Sequence, residues 1–446
     1  MHEYIKYGEG VGAQYVEIKH ATSQRDNIEI SNKHIKEISS GINSMLGVRV
    51  IFKDRWGTAF SNKDNIEETI NQAIKNAKAN KQKTRIDTFK ANKRSFKTKV
   101  KTDPANIPFL EKQNSLLKIN RIKSVTNLSQ QYTDITRNFG FFNSEGSELR
   151  WDDKITFHMV SSSAKKNNRI ENYFDVKAEH KGYELMDDAE NFSLEIMKKS
   201  VEMLRARNAN GGTYPVLIDQ KLGGVLIHEA LGHACEADIV LNNNSVLGNK
   251  LNEQVGSANL NVYDAGNIIN SWGWTPFDDE GILAKKTPLI RKGVLTNFLH
   301  NRETAAKFKV NPTGNGRAQS PSNKVIPRMT NTFIDKGESR FDDMLSSIKE
   351  GYYLKGSLGG EVESASGQFL FNAQEGFLIK NGQLIKRVKG VSLTGNILET
   401  LKNICLIGDD PLIHGGGACG KAEQYVLAGN WSPHIKIKNT LLGGQN

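Results

Sequence analysis

Residues 223–241 read GGVLIHEALGHACEADIVL, and how this run is wound decides what its two histidines can do and what kind of domain must surround them. Histidines four apart on an α-helix lie about 40° apart around its axis, close enough to share a metal, with a Glu after the first as base. Here His228 and His233 are five apart. In a regular helix that spacing is about 500°, which turns the rings about 140° away from each other. Two devices bring them back together: a single π-type turn that absorbs one residue, or a loosening at Gly232, where no side chain restrains the backbone. Spacing alone also permits an amphipathic core helix whose imidazoles are hydrogen-bonded to neighbours.

A third donor stands near the end of the chain, in GDDPLIHGGGACGKAEQYVLAGN (408–430). Cys419 is embedded among glycines, so its thiolate can approach a metal with little bulk around it. His228, His233 and Cys419 form an N₂S set that suits zinc and leaves a fourth position open. His414, five residues before Cys419, is an alternative donor or a structural residue. His300 reads the same way, and Cys235 and Cys405 read as packed core thiols. The run GGGACGK (415–421) has P-loop spacing, but Ala422 stands where the magnesium-binding Ser or Thr is required. HGGG (414–417) resembles an esterase oxyanion loop, yet no G-x-S-x-G nucleophile elbow accompanies it.

With 446 residues, two domains are the default. No apolar run reaches membrane-span length, the first residues lack a secretory pattern, and three cysteines do not make a disulfide framework. A cytoplasmic protein is expected. The net charge of +11 is concentrated in residues 1–101, which hold 20 Lys and Arg against 11 Asp and Glu. Its densest part, DTFKANKRSFKTKVKTD (87–103), has few aromatic platforms and reads as a solvated connector, so nucleic acid is not the expected partner.

The pattern predicts an α+β protein: an N-terminal α/β domain with an antiparallel sheet, and a β-rich C-terminal domain carrying the HExxxH helix. The first domain spans 1–210, as two segments (about 1–86 and 104–210) joined by the basic connector; the second spans 211–446. Period-two alternation over residues 14–62 predicts strands, and a helix opening at Asp64 follows through Ile66, Ile70 and Ile74. NSLLKINRIKSVTNLSQQY (114–132) reads as helix, and so does the run from Asp187 towards Asn210. Beyond Gly211, glycine-punctuated strands dominate, with Asn381-Gly382 a hairpin turn.

HEALGHACEAD (228–238) together with CGKAEQ (419–424) resembles the TldD/PmbA family of metallopeptidases, in its motif-bearing TldD-like branch. GVRVIFKDRWGTAFSN (47–62), DDEG (278–281), GNGR (314–317), PRMTNTFI (327–334), GFLIKNGQL (376–384) and LTGN (393–396) follow in the family's order. The resemblance implies Zn2+ held by His228, His233 and Cys419, with Glu229 as a non-ligand base that takes a proton from the attacking water and returns it to the leaving amine. It implies hydrolysis of short or unfolded peptides, and a heterodimer with a PmbA/TldE-like paralogue or a homodimer. Glu236, three residues after His233, is expected to hold an imidazole from behind. Asp238 is expected to do neither job. Arg317 and Arg328 are candidates for clamping substrate, or else for structural salt bridges. An exposed strand edge could hold an extended peptide. In this chain Glu423 replaces a family glycine, which is expected to alter the turn or to pair with Lys421. Two other readings stand beside the peptidase: a non-catalytic modulator of DNA-associated complexes, and a metal-dependent hydrolase of non-peptide amides.

Overall fold

A computed structural model of the chain describes residues 1–63, 65–413 and 416–444. The expected helix start at Asp64 and the alternative donor His414 lie outside the described residues. The protein is α+β, as its sequence predicts.

Residues 15–179 build one seven-stranded sheet. β1 (Tyr15–Ser31), β2 (His34–Phe52) and β3 (Arg55–Ser61) are joined by two tight hairpins. Both central residues of each turn, Asn32-Lys33 and Lys53-Asp54, have positive φ, the type I′ geometry that matches strand twist. β4 (Lys93–Lys97), β5 (Val125–Asn143), β6 (Glu148–Lys166) and β7 (Arg169–Glu179) complete it. The order is β3-β2-β1-β5-β6-β4, and β7 pairs with the other end of β6. Four helices accompany these strands: α1 (His2–Gly10), α2 (Ile66–Ala79), α3 (Phe109–Leu117) and α4 (Ala189–Met203). α2 buries Ile66, Ile70 and Ile74 against β2 and β3, and α4 buries Phe192, Ile196 and Met197 over β6 and β7.

Two segments differ from expectation. Part of the basic connector is not solvated coil: Lys93–Lys97 runs parallel to Glu148–Asp152 as β4. The helix expected through Tyr132 ends at Leu117, and Val125 onwards is the 19-residue strand β5. Pairing on both sides, with β1 and β6, satisfies the whole strand ladder and overrides local helix spacing.

The rest of the chain forms two further sheets. One contains β8 (Arg207–Asn208), β9 (Gly212–Ile218), β16 (Glu350–Glu363), β17 (Gln368–Lys380), β18 (Gln383–Lys389), β19 (Val391–Asn396), β20 (Ile404–Ile407) and β23 (Ile435–Gly443). The expected Asn381-Gly382 turn closes the β17–β18 hairpin, with both residues at positive φ. The other contains β10 (Val262–Ala265), β11 (Lys286–Arg291), β12 (Val294–Leu295), β15 (Asn331–Ile334), β21 (Gly416–Lys421) and β22 (Gln424–Trp431), with β21 at its edge. β13 (Gly316–Arg317) and β14 (Ile326–Pro327) form a separate pair. Between the two larger sheets lies the main apolar core, which takes in Leu226, Leu231, Ile334, Leu354, Phe371 and Ile435.

The N-terminal sheet docks on this assembly through Phe141, Leu149 and Trp151, which pack against Trp274 and Phe277. Buried ion pairs flank the contact: Arg49 to Glu280 at 3.2 Å and Arg302 to Glu145 at 2.6 Å. This accounts for the DDEG run. Asp278 accepts hydrogen bonds from Glu280, Ile282 and Gly316 N–H groups while Glu280 reaches across the seam, so both acids are structural. No helix among the described residues is long and apolar enough to cross a membrane.

Candidate metal centre

The histidine-bearing segment starts as α5 (Gln220–Ile227), capped by Asp219, whose carboxylate accepts the Leu222 N–H at 2.9 Å. α5 crosses β22 in close contact: a Cβ on Gly224 would lie 2.8 Å from Trp431 Cα and 2.9 Å from its nitrogen. Because the clash is with backbone, Gly224→Ala must push helix and strand apart. It is expected to destabilise the fold by about 1–3 kcal/mol, the range for overpacking a core, which urea unfolding of the variant checks.

After Ile227 the winding changes. His228–Gly232 is a π-turn, and His233–Cys235 a short 3₁₀ turn. The extra residue between the histidines is absorbed there, and the two rings stand 5.4 Å apart, nearly perpendicular at 84°. Gly232 keeps ordinary helical backbone (φ −57°, ψ −52°), and its glycine serves packing: a Cβ there would lie 1.9 Å from Sδ of the buried Met329.

Cys419 on β21 completes the group. One ligand atom each from His228, His233 and Cys419 lies within 4.8 Å of the other two, and Cys419 Sγ is 3.5 Å from His233 Nε2. Burial alone would push the thiol pKa up, but His228 and His233 outweigh it through hydrogen bonds and charge and hold it down at about 5. His228 Nδ1 is buried with no hydrogen-bond partner among the described residues. Two imidazoles, one of them with an unpaired buried ring nitrogen, and a thiol whose pKa is held down suit a metal with a preference for nitrogen and sulfur. The donor set fits zinc.

Behind this trio is a buried charge cluster. His233 Nδ1 lies 3.0 Å from Glu236 Oε2, as expected from the three-residue spacing. Glu236 is fully buried, which on its own would raise its pKa, yet Lys421, His233 and Arg328 hold it down at about 2. Although burial opposes it, Glu236 and Cys419 keep the His233 ring more basic than usual. Lys421 Nζ is 3.0 Å from Glu236, 2.7 Å from Asp238 and 3.1 Å from the Pro327 carbonyl. Lys421 is the functional neighbour that motif reading missed. Its signal was available: two residues beyond Cys419 on a strand, it must share the face that Cys419 presents. Asp238, set aside from sequence, takes part as the second carboxylate on that lysine. Arg328 is fully buried and donates to the Cys419 carbonyl, so it seats the cysteine strand and does not line the cleft.

Glu229 faces the other way. Its carboxylate is 3.6 Å from His233 Nε2, and it lines a cleft of about 310 Å3 with His228 and Cys419. One wall is β21; the opposite wall is Phe174–Val176 of β7. Both are edge strands, and Gly356, Ser357 and Gly359 of β16 with Gln374 of β17 bring the third sheet to the same cleft. Lys221 and Asp175 form an ion pair across it. Arg317 is elsewhere: it lines a second cavity, donates to the Met329 and Leu427 carbonyls, and is not brought to the cleft. Ala422 and Glu423 form the β21–β22 turn, both with left-handed backbone (φ 50° and 59°). That geometry explains a glycine preference at Glu423, and Lys421 pairs with Glu236 and Asp238 rather than with it. Cys235 is a buried core thiol with its pKa pushed up by burial. His300 is buried beside Thr304, its pKa lowered to about 4 by burial.

Residues 211–444 match the family model described as the PmbA/TldA metallopeptidase C-terminal domain, and residues 16–77 match PmbA/TldA metallopeptidase domain 1. The chain belongs to the PmbA/TldA metallopeptidase family. It is 36% identical over 429 residues to a metalloprotease of Methanocaldococcus jannaschii, covering 93% of this chain and 94% of that one. It is 29% identical, over the full length of both chains, to a Saccharolobus solfataricus protein named zinc metalloprotease TldD homolog. Among solved structures, TldE from Thermococcus kodakarensis superposes with a TM-score of 0.80 at 20% identity, covering 100% of both chains, and shows the same fold.

Proposed function

We propose that this chain is a cytoplasmic zinc-dependent peptidase that hydrolyses short or unfolded peptides, with His228, His233 and Cys419 holding the metal and Glu229 as general base. The observation that carries this reading is the convergence of three nitrogen and sulfur donors at a cleft that Glu229 also lines, while the cleft's other carboxylate, Asp175, is paired with Lys221. When bound, zinc supplies a Lewis acid that polarises a scissile carbonyl and makes water a better nucleophile.

The protein residues do the rest. Glu229 takes a proton from the attacking water and delivers it to the leaving amine. Glu236 fixes the orientation of the His233 ring, and Lys421 and Arg328 keep Glu236 ionised so that it can do so. The β21 edge offers unpaired backbone groups over the glycine-rich stretch Gly416–Cys419, which suits an extended peptide laid in as an added strand. A folded protein does not present such a strand, which is why the substrate is short or unfolded. The fold shared with TldE supports a heterodimer with a paralogue of that kind, with a homodimer as the alternative.

The test is hydrolysis of an unstructured peptide by the purified chain, alone and with its paralogue, before and after chelation by 1,10-phenanthroline. Activity should disappear with the metal and return with added zinc. Hydrolysis that survives complete removal of metal contradicts the proposal.

A further inference from the structure

Arg317, which the GNGR run singles out and the cleft does not use, lines a separate cavity of about 210 Å3 where the N-terminal sheet meets the C-terminal loops. Its Nη1 donates to the Met329 and Leu427 carbonyls at 2.6 and 2.8 Å, while Nε and Nη2 have no hydrogen-bond partner among the described residues. It forms no ion pair among the described residues. Burial, and then the charge of Arg328, pull its pKa down to about 10, against the opposing charges of Asp279 and Asp264. Asp279, the acid on the cavity wall, accepts instead from the Ala318 N–H at 2.9 Å.

A second arginine lines the same cavity. Arg137 donates from Nη2 to Asp153 at 2.8 Å and lies over the Trp151 ring at 4.8 Å, and its Nε is buried without a partner. Phe139 and Phe277, stacked with their centroids 5.8 Å apart, supply an aromatic side, and Ser23, Asn43, Thr275 and Ser320 line much of the rest. Arg317 is half-buried with guanidinium nitrogens to spare, and Arg137 Nε is a buried donor with its hydrogen bond unmade; one bound anion would answer both. The cavity falls below the roughly 300 Å3 at which drug-sized pockets begin, so it has room for one ring and its acid group.

We propose that this cavity is a binding site for a small carboxylate bearing an aromatic ring, the carboxylate between Arg317 and Arg137 and the ring against Phe139 and Phe277. It is separate from the cleft at Glu229 and does not depend on peptidase activity.

Isothermal titration of the full chain with phenylacetate, and with phenylacetamide as its neutral counterpart, tests this. Phenylacetate should bind saturably, and loss of the charge in phenylacetamide should weaken binding about tenfold or more, as expected for a hydrogen-bonded ion. Arg317→Met should weaken phenylacetate by a similar factor. Ala21→Leu, which fills the cavity from β1 and leaves both arginines in place, should abolish binding and covers the case in which the arginine variant does not fold. Equal binding of acid and amide, no saturable phenylacetate binding at millimolar concentration, or binding that persists in Ala21→Leu overturns the proposal.

Discussion

Glu229→Gln is expected to leave the protein folded with its metal content unchanged, and to lower kcat on an unstructured peptide by about 10²–10⁴-fold, the usual contribution of a general base. The amide has nearly the same shape as the carboxylate, so the cleft is kept. It cannot accept the proton that the attacking water must lose. Glu229 is 29% exposed and belongs to none of the buried charge pairs behind the histidines, so its removal should not affect folding. Steady-state kinetics beside metal analysis of the same sample read both quantities. A variant that keeps full kcat with full metal would assign the base to another group. One that loses metal as well would make Glu229 a ligand.

The second large effect is on stability. Lys421→Met is expected to destabilise the fold by about 3 kcal/mol, because removing one partner of a buried pair leaves Glu236 with only His233 and Arg328 to offset its charge. Glu236 is completely buried, and Lys421 is the largest of the influences that keep it ionised against that burial. Its pKa falls from 4.5 to about 2 on folding, so it stabilises the native state above pH 4.5 and loses that contribution as pH drops towards 2. The difference between wild type and Lys421→Met should therefore be largest near neutral pH and shrink on acidification. Urea unfolding of both proteins at several pH values measures it. Adding Glu236→Gln to the lysine variant should recover part of the loss, since the orphaned charge is then gone. If the double variant is no more stable than Lys421→Met, the lysine acts by something other than pairing with Glu236.

The central helix was legible because geometry left few choices. Once both histidines are given to one metal, the five-residue spacing leaves a π-turn or a loosening at Gly232, and a π-turn at His228–Gly232 is what forms. Asn381-Gly382 was equally direct, since both residues tolerate positive φ. The segment around β5 misled for a specific reason. Leu116, Ile119, Ile122, Val125 and Leu128 recur every three residues, as on a helix face. The irregular register between Val125 and Asn127 puts Val125 and Leu128 on one buried face of a strand, which imitates that period. A bulge leaves no mark in a single sequence. Nor could spacing reveal that β7, from the N-terminal sheet, forms the far wall of the cleft, or that Arg317 lies at a different cavity from His228. Those facts depend on how two sheets dock, and docking is encoded in dispersed contacts such as Trp151 on Trp274. Lys421 is intermediate: period two on β21 places it beside Cys419, but its carboxylate partners come from the far end of the histidine segment.

Everything proposed for the cleft depends on Cys419 completing the histidine pair, and metal content tests that most directly. Protein purified without added metal, analysed by elemental mass spectrometry, should carry about one zinc per chain. Cys419→Ala should carry almost none, while His414→Ala should keep it. Zinc retained in Cys419→Ala and lost in His414→Ala would contradict the account.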